Sequence, residues 1–92
     1  MTDRAYRAAP ASALRVEPLG DLTAIFDRRA MQTHLVVSPM PEILDAMGEG
    51  PCNAAVLAAR LALIFDIDKE DARPILAERL AELAAMGLVE RV

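Results

Sequence analysis

Tryptophan is absent, and only three aromatic residues, Tyr6, Phe26 and Phe65, occur in 92. The hydrophobic content is nonetheless 54%, so any core must be filled by Leu, Ile, Val, Ala and Met. That composition favours packed helices over a β-sandwich. Cys52 is the single cysteine and His34 the single histidine. An internal disulfide is therefore excluded, and a zinc site built from clustered Cys and His is not expected. No apolar run approaches the roughly 20 residues of a membrane span. The N-terminal stretch MTDRAYRAAPASALR carries no apolar core of a secretory signal, so a cytoplasmic location is the expectation. Basic residues are in deficit, 10 against 14 acidic, for a net charge of −4. With a pI near 4.8, non-specific binding to nucleic acid or anionic membrane is disfavoured.

Ninety-two residues make one domain. A chain of this size buries roughly 60–65% of its unfolded surface and can fold alone with little margin. Its organising stretch is DLTAIFDRRAMQTHLVVSP, residues 21–39. Leu22, Ala24 and Phe26 alternate with Thr23, Ile25 and Asp27, a period of two that suits a half-buried strand. His34 to Val37 is a second short run rich in β-branched and apolar residues. The polar segment between them is too short for an element of its own, so the pair reads as an antiparallel hairpin. Ser38 before Pro39 reads as a helix N-cap with proline in the first turn.

Upstream, residues 1–13 lack periodicity and read as a flexible N-terminal tail, leaving 14–92 as the folded domain. Leu14-Arg15-Val16-Glu17 is a first strand, with Pro18 placing it at an edge or ending it. Downstream, Met40, Ile43, Leu44 and Met47 form the stripe of a first helix over 39–47, stopped by Gly48-Glu49-Gly50-Pro51. A second helix runs from an Asn53 cap to about Phe65 on Ala54, Leu57, Ala58, Leu61 and Ile64. Its wide apolar face implies burial on more than one side or a covered patch. A third runs from an Asp71 cap to about Met86 on Ala72, Leu76, Leu80 and Leu83, with Gly87 at its C-terminus and Leu88-Val89 folding back. The expected class is α+β, a three-stranded antiparallel sheet followed by three helices.

Candidate chemistry is sparse. His34 lies mid-strand without a local Ser or Cys to serve as nucleophile. Cys52 stands at a helix N-terminus, where a thiol pKa can fall, but has no resolving partner and reads as a small filler. Asp66 and Asp68 read as turn and capping residues. Arg28 and Arg29 at the hairpin tip suggest a nucleic-acid contact. However, the third helix sets Glu70, Asp71, Glu78 and Glu82 against Lys69, Arg73 and Arg79 and brings no net positive charge to phosphates. The Arg pair reads instead as a solvated turn or a contact to an acidic partner. No catalytic residue, metal ligand or cofactor is assigned.

On DLTAIFDRRAMQTHLVVSPMPEILDAM and the closing ELAAMGLVER, the chain from Leu14 to about Arg91 resembles the PqqD-like family of peptide chaperones, also called RiPP recognition elements. It is most similar to the PqqD-related proteins attached to the HPr-rel-A system. It departs from the family pattern in having Val16-Glu17-Pro18 where a tryptophan often precedes an acidic-Pro step. Ala30-Met31 stands where Ser-Gly is usual at the hairpin tip, and Ser38 replaces an asparagine. The resemblance implies a winged-helix-like fold and a non-enzymatic adaptor. The leader segment of a precursor peptide would add as a strand to the third strand, lie against the third helix, and be presented to a modifying enzyme. The residues implied are Thr33, His34, Leu35, Val36 and Val37 on the strand and Leu76, Arg79, Leu80 and Leu83 on the helix. Leucines in such a stripe are more often core than groove, whereas an arginine beside a groove, as Arg79 would be, can hold an acidic peptide residue. An HPr-kinase-like protein is the alternative partner, and a DNA-binding regulator a more remote one. Monomer and homodimer both remain open.

Overall fold

Gly20 takes φ 67°, a conformation open to glycine at little cost, and with Asp21 it closes a tight hairpin between residues 14–19 and 22–27. The computed structural model describes residues 4–92. In chain order the elements are β1 (Tyr6–Ala8), β2 (Leu14–Leu19), β3 (Leu22–Asp27), β4 (Gln32–Val36), α1 (Met40–Ala46), α2 (Ala54–Ala62), α3 (Lys69–Ala85) and β5 (Val89–Arg91). Strands β2, β3 and β4 form an antiparallel sheet in that order. Its register aligns Val16 with Ile25 and Ile25 with His34 across the three strands. The expected α+β architecture is therefore present.

Both phases of β3 carry apolar residues, so alternation alone leaves its inner face undecided. Ile25 and Asp27 are buried while Leu22 is exposed and Ala24 and Phe26 are half-buried, so the helices cover the Thr23–Ile25–Asp27 phase. Ile25, Ile43, Leu57, Leu80, Leu83 and Leu88 are the largest fully buried side chains. They come from β3, all three helices and the segment after α3, which makes one continuous core.

Segment 1–13 differs from the expected tail. Tyr6–Ala8 pairs antiparallel with Val89–Arg91, and Tyr6 is buried and exchanges two main-chain bonds of 2.9 Å with Cys52. A further 3₁₀ turn spans Ala11–Ala13. Residues 1–3 of that expected tail lie outside the described residues. The three helix starts also differ in part. At α1 the Ser38–Pro39 bond is cis and Ser38 does not cap the helix; its hydroxyl donates to the Glu42 carboxylate. At α2 the Asn53 side chain accepts from Val56 N–H at 2.9 Å as expected, but the helix ends at Ala62. At α3 the cap is Asp68, not Asp71: its Oδ1 accepts from Glu70 N–H at 2.8 Å and Asp71 N–H at 3.2 Å. Pro74 consequently lies inside the helix, on an exposed face, where the Glu70 carbonyl that loses its donor can turn to water.

The end of α3 follows the expected signal. Gly87 takes φ 80°, its N–H reaches Ala84 C=O at 3.0 Å, and Leu88 N–H reaches Leu83 C=O at 3.0 Å. This pair of bonds is a Schellman motif, and it turns the chain into β5.

Candidate functional site

A three-strand sheet has two edges, and here they are unequal. The hairpin at Gly20–Asp21 makes Leu19 and Leu22 the closing pair, and Arg28 N–H bonds Ala13 C=O at 2.9 Å. Antiparallel bonding alternates. So Leu14, Val16 and Pro18 direct their backbone groups off the β2 edge, while Thr33, Leu35 and Val37 direct theirs off the β4 side. Pro18 has no N–H to offer, a common way of blunting an edge. On the other side, Val37 C=O is already taken by Met40 N–H at 2.9 Å. The outward groups of Thr33 and Leu35 and the Val37 N–H remain as a template for another strand.

Beside the end of β4 lies a cleft of about 430 Å³ between that strand and α3. Leu35, Val36 and Val37 form one wall, Arg79, Glu82 and Met86 the other, and Ser38-Pro39-Met40 closes the end. The Arg79 guanidinium donates to both Glu82 carboxylate oxygens at 2.6 Å, a pairing that raises its pKa further above an already high value. A single exposed ion pair in a cleft is weakly held, so an incoming charged group can compete for either member.

The structure brings together four of the residues named from sequence, Leu35, Val36, Val37 and Arg79. Thr33 is exposed on the same edge, one step further along. His34 faces inward in register with Ile25, and its Nε2 is buried without a hydrogen-bond partner. Leu80 and Leu83 are not cleft residues: at 1% and 0% exposure they are core. Leu76 is buried too and lines a separate cavity of about 280 Å³ with Phe65, Ile67 and Ile75. Glu82 and Met86 were missed by sequence reasoning, although they stand three and seven residues after Arg79 and so share its helical face.

Other features carry less. A cleft of about 540 Å³ opens between the β1–β2 segment and α1, lined by Pro10, Val16, Leu44 and Met47 among others, beneath the blunted edge. Arg29, at the hairpin tip, donates to Asp27 and to the Gly87 carbonyl, while the turn itself is solvent-exposed as expected. Cys52 is buried, and that burial pushes its thiol pKa up, opposite to the activation a helix N-terminus can confer. Among the described residues no group of three or more His, Cys, Asp or Glu could hold a metal ion. No helix among them is long and apolar enough to cross a membrane.

Among solved structures, the chain matches TbiB1, determined in complex with the TbiA(beta) leader peptide, with a TM-score of 0.66. The fold is similar to that of TbiB1. The match covers 91% of this chain and 94% of TbiB1 at 14% identity, so the likeness is one of fold. No protein-family model and no curated protein matches the chain.

Proposed function

We propose that this protein is a non-enzymatic adaptor of the PqqD-like kind, which binds the leader segment of a precursor peptide and presents it to a modifying enzyme. The observation that carries the reading is the fold shared with TbiB1, a protein solved with a leader peptide bound, together with an unblunted β4 edge beside a cleft. The peptide adds as a strand along Thr33–Val37. Main-chain bonds to Thr33, Leu35 and Val37 provide affinity, and Leu35, Val37 and Met86 receive its apolar side chains. Arg79 exchanges Glu82 for an acidic residue of the peptide. Leu80 and Leu83 act only by holding α3 in place.

The likeness of residues 21–47 to PqqD-related proteins of the HPr-rel-A system gives the alternative reading, in which the ligand is itself a cytoplasmic HPr-kinase-like protein and not a leader peptide. A pull-down with that component, set against binding of a short leader peptide, separates the two readings.

The test of the peptide reading is a two-dimensional NMR titration of labelled protein with leader peptides encoded near its gene. The expected shifts cluster on Thr33–Val37 and on Arg79, Glu82 and Met86. Unchanged spectra with every such peptide would remove peptide binding as the function and leave the fold assignment intact.

A further inference from the structure

The connection between α2 and α3 carries large apolar side chains that are exposed in whole or in part. Leu63 is 88% exposed and Ile64 70% exposed, and Phe65, Ile67 and Ile75 beside them are exposed as well. The backbone there is fixed by bonds within the connection: Ile64 N–H to Leu61 C=O at 3.1 Å, Phe65 N–H to Leu61 C=O at 2.8 Å and Ile67 N–H to Phe65 C=O at 3.0 Å. The side chains are thus held outward by an ordered turn. Exposed apolar side chains clustered on one short turn in this way mark interaction sites.

Three observations select the occupant. The patch adjoins the cleft already described, because Ser38 and Pro39 line both that cleft and the cavity under Phe65, Ile67 and Ile75. Its margin is acidic: Asp66, Asp68, Glu70 and Asp71 stand against Lys69 within six residues, all exposed. In a symmetric pair of copies the same margins would meet and repel. Leu63 and Ile64 protrude, and a short extended peptide cannot enclose protruding side chains, whereas a folded protein with a recess can. We propose that the Leu63–Ile67 turn with Ile75 is the docking surface for the protein that receives the bound peptide. That partner offers an apolar recess rimmed by Lys and Arg. The inference rests on the adaptor reading for its choice of partner, and it places the recipient at the α1-proximal end of the peptide cleft.

The test compares three proteins, each the full chain: the parent, the double variant Leu63→Ser with Ile64→Ser, and Asp66→Lys. Titration calorimetry measures binding to the leader peptide and, separately, to the modifying enzyme encoded beside it. Both substituted positions of the double variant are solvent-facing, and circular dichroism checks that the fold is kept. The double variant is expected to lose at least about tenfold in enzyme affinity, as central anchors do, with peptide affinity unchanged. Asp66→Lys is expected to weaken enzyme binding and flatten its salt dependence. Enzyme affinity unchanged in both variants, or no enzyme binding by the parent, overturns the proposal. Loss of peptide affinity in the double variant overturns it by assigning the patch to the peptide cleft. A parent dimer that the double variant dissociates overturns it in favour of self-association. If the parent binds enzyme through this patch but no peptide, the docking surface stands and the adaptor reading fails.

Discussion

Arg29 donates from Nη2 to the main-chain oxygen of Gly87 at 3.1 Å, while its Nε and Nη2 each reach the Asp27 carboxylate at 3.1 Å. One side chain thereby fastens the β3–β4 hairpin to the turn that ends α3, the two elements that flank the cleft. Asp27 is buried at 3% exposure, so it depends on that guanidinium, and on the Arg29 N–H at 3.0 Å, for compensation.

The hydrogen bonds from the Arg29 side chain are the main reason the Asp27 carboxyl is held below its usual 3.8. A carboxylate depressed in the folded state contributes stability in full above its unfolded value and loses it as pH falls through the folded one. Arg29→Ala is therefore expected to lower the urea midpoint at pH 7 more than Arg28→Ala does. Asp27→Asn should flatten the fall in unfolding free energy below about pH 4. Urea titrations at several pH values measure both. Identical slopes for Asp27→Asn and parent would show that another group governs the acid limb.

Strand addition at β4 makes a prediction that distinguishes neighbouring residues. Leu35→Pro removes an N–H directed away from β3, so the sheet keeps its own bonds while the incoming strand loses one. Peptide affinity is expected to fall at least about tenfold with little change in thermal midpoint. His34→Pro takes a bond from β3 instead and should lower the midpoint itself. Were Leu35→Pro to bind as tightly as Leu35→Ala, the main chain of β4 would not be the contact.

Glu82 competes internally for Arg79. Glu82→Gln is expected to raise affinity for a leader peptide carrying an acidic residue by roughly two- to fivefold, since an exposed pair of this type is worth up to about 1 kcal/mol. The gain should vanish in Arg79→Ala and in peptides with that acid changed to its amide. Fluorescence anisotropy with labelled peptides measures it, and equal affinities across the set would remove Arg79 from recognition.

Strand β1 covers Cys52. In the parent, a buried thiol with a raised pKa should react with an aromatic disulfide reagent only through local opening. Tyr6→Ala, which strips the buried side chain from that strand, is expected to speed labelling at least about tenfold while α-helical circular dichroism is retained. A rate equal to that of the urea-unfolded chain in the parent would mean that β1 does not protect the thiol.

Much of the fold was legible in short stretches. The strand at 22–27, the Asn53 cap and the Gly87 stop are each specified by residues within a few positions of one another. The strand expected over His34–Val37, by contrast, runs from Gln32 to Val36. Ile64, expected on the α2 stripe with Ala54, Leu57, Ala58 and Leu61, lies beyond the helix end and is exposed. The α3 start differs from expectation for a reason of the same kind: Pro74 favours a start three residues later, yet Asp68 offers the side-chain acceptor and the exposed proline is tolerated. Of the residues that line the β4–α3 cleft, Leu35, Val36, Val37 and Arg79 are also those implied by the family resemblance. Leu80 and Leu83 were ambiguous, because a helical stripe says which residues share a face and not what that face meets.

Local chemistry therefore determined the kinds and order of the elements from β2 to α3 and some of their ends, since turns, caps and periodicity act over one or two turns of chain. Contacts between distant positions decided the rest. Arg7 and Glu90, 83 residues apart, pair across β1 and β5. Only the assembled helices could choose the inner phase of β3, bury Asp27 against Arg29, and set the outward face of α3 beside the β4 edge. Those outcomes depend on which surfaces exclude water together, a property of the folded chain as a whole.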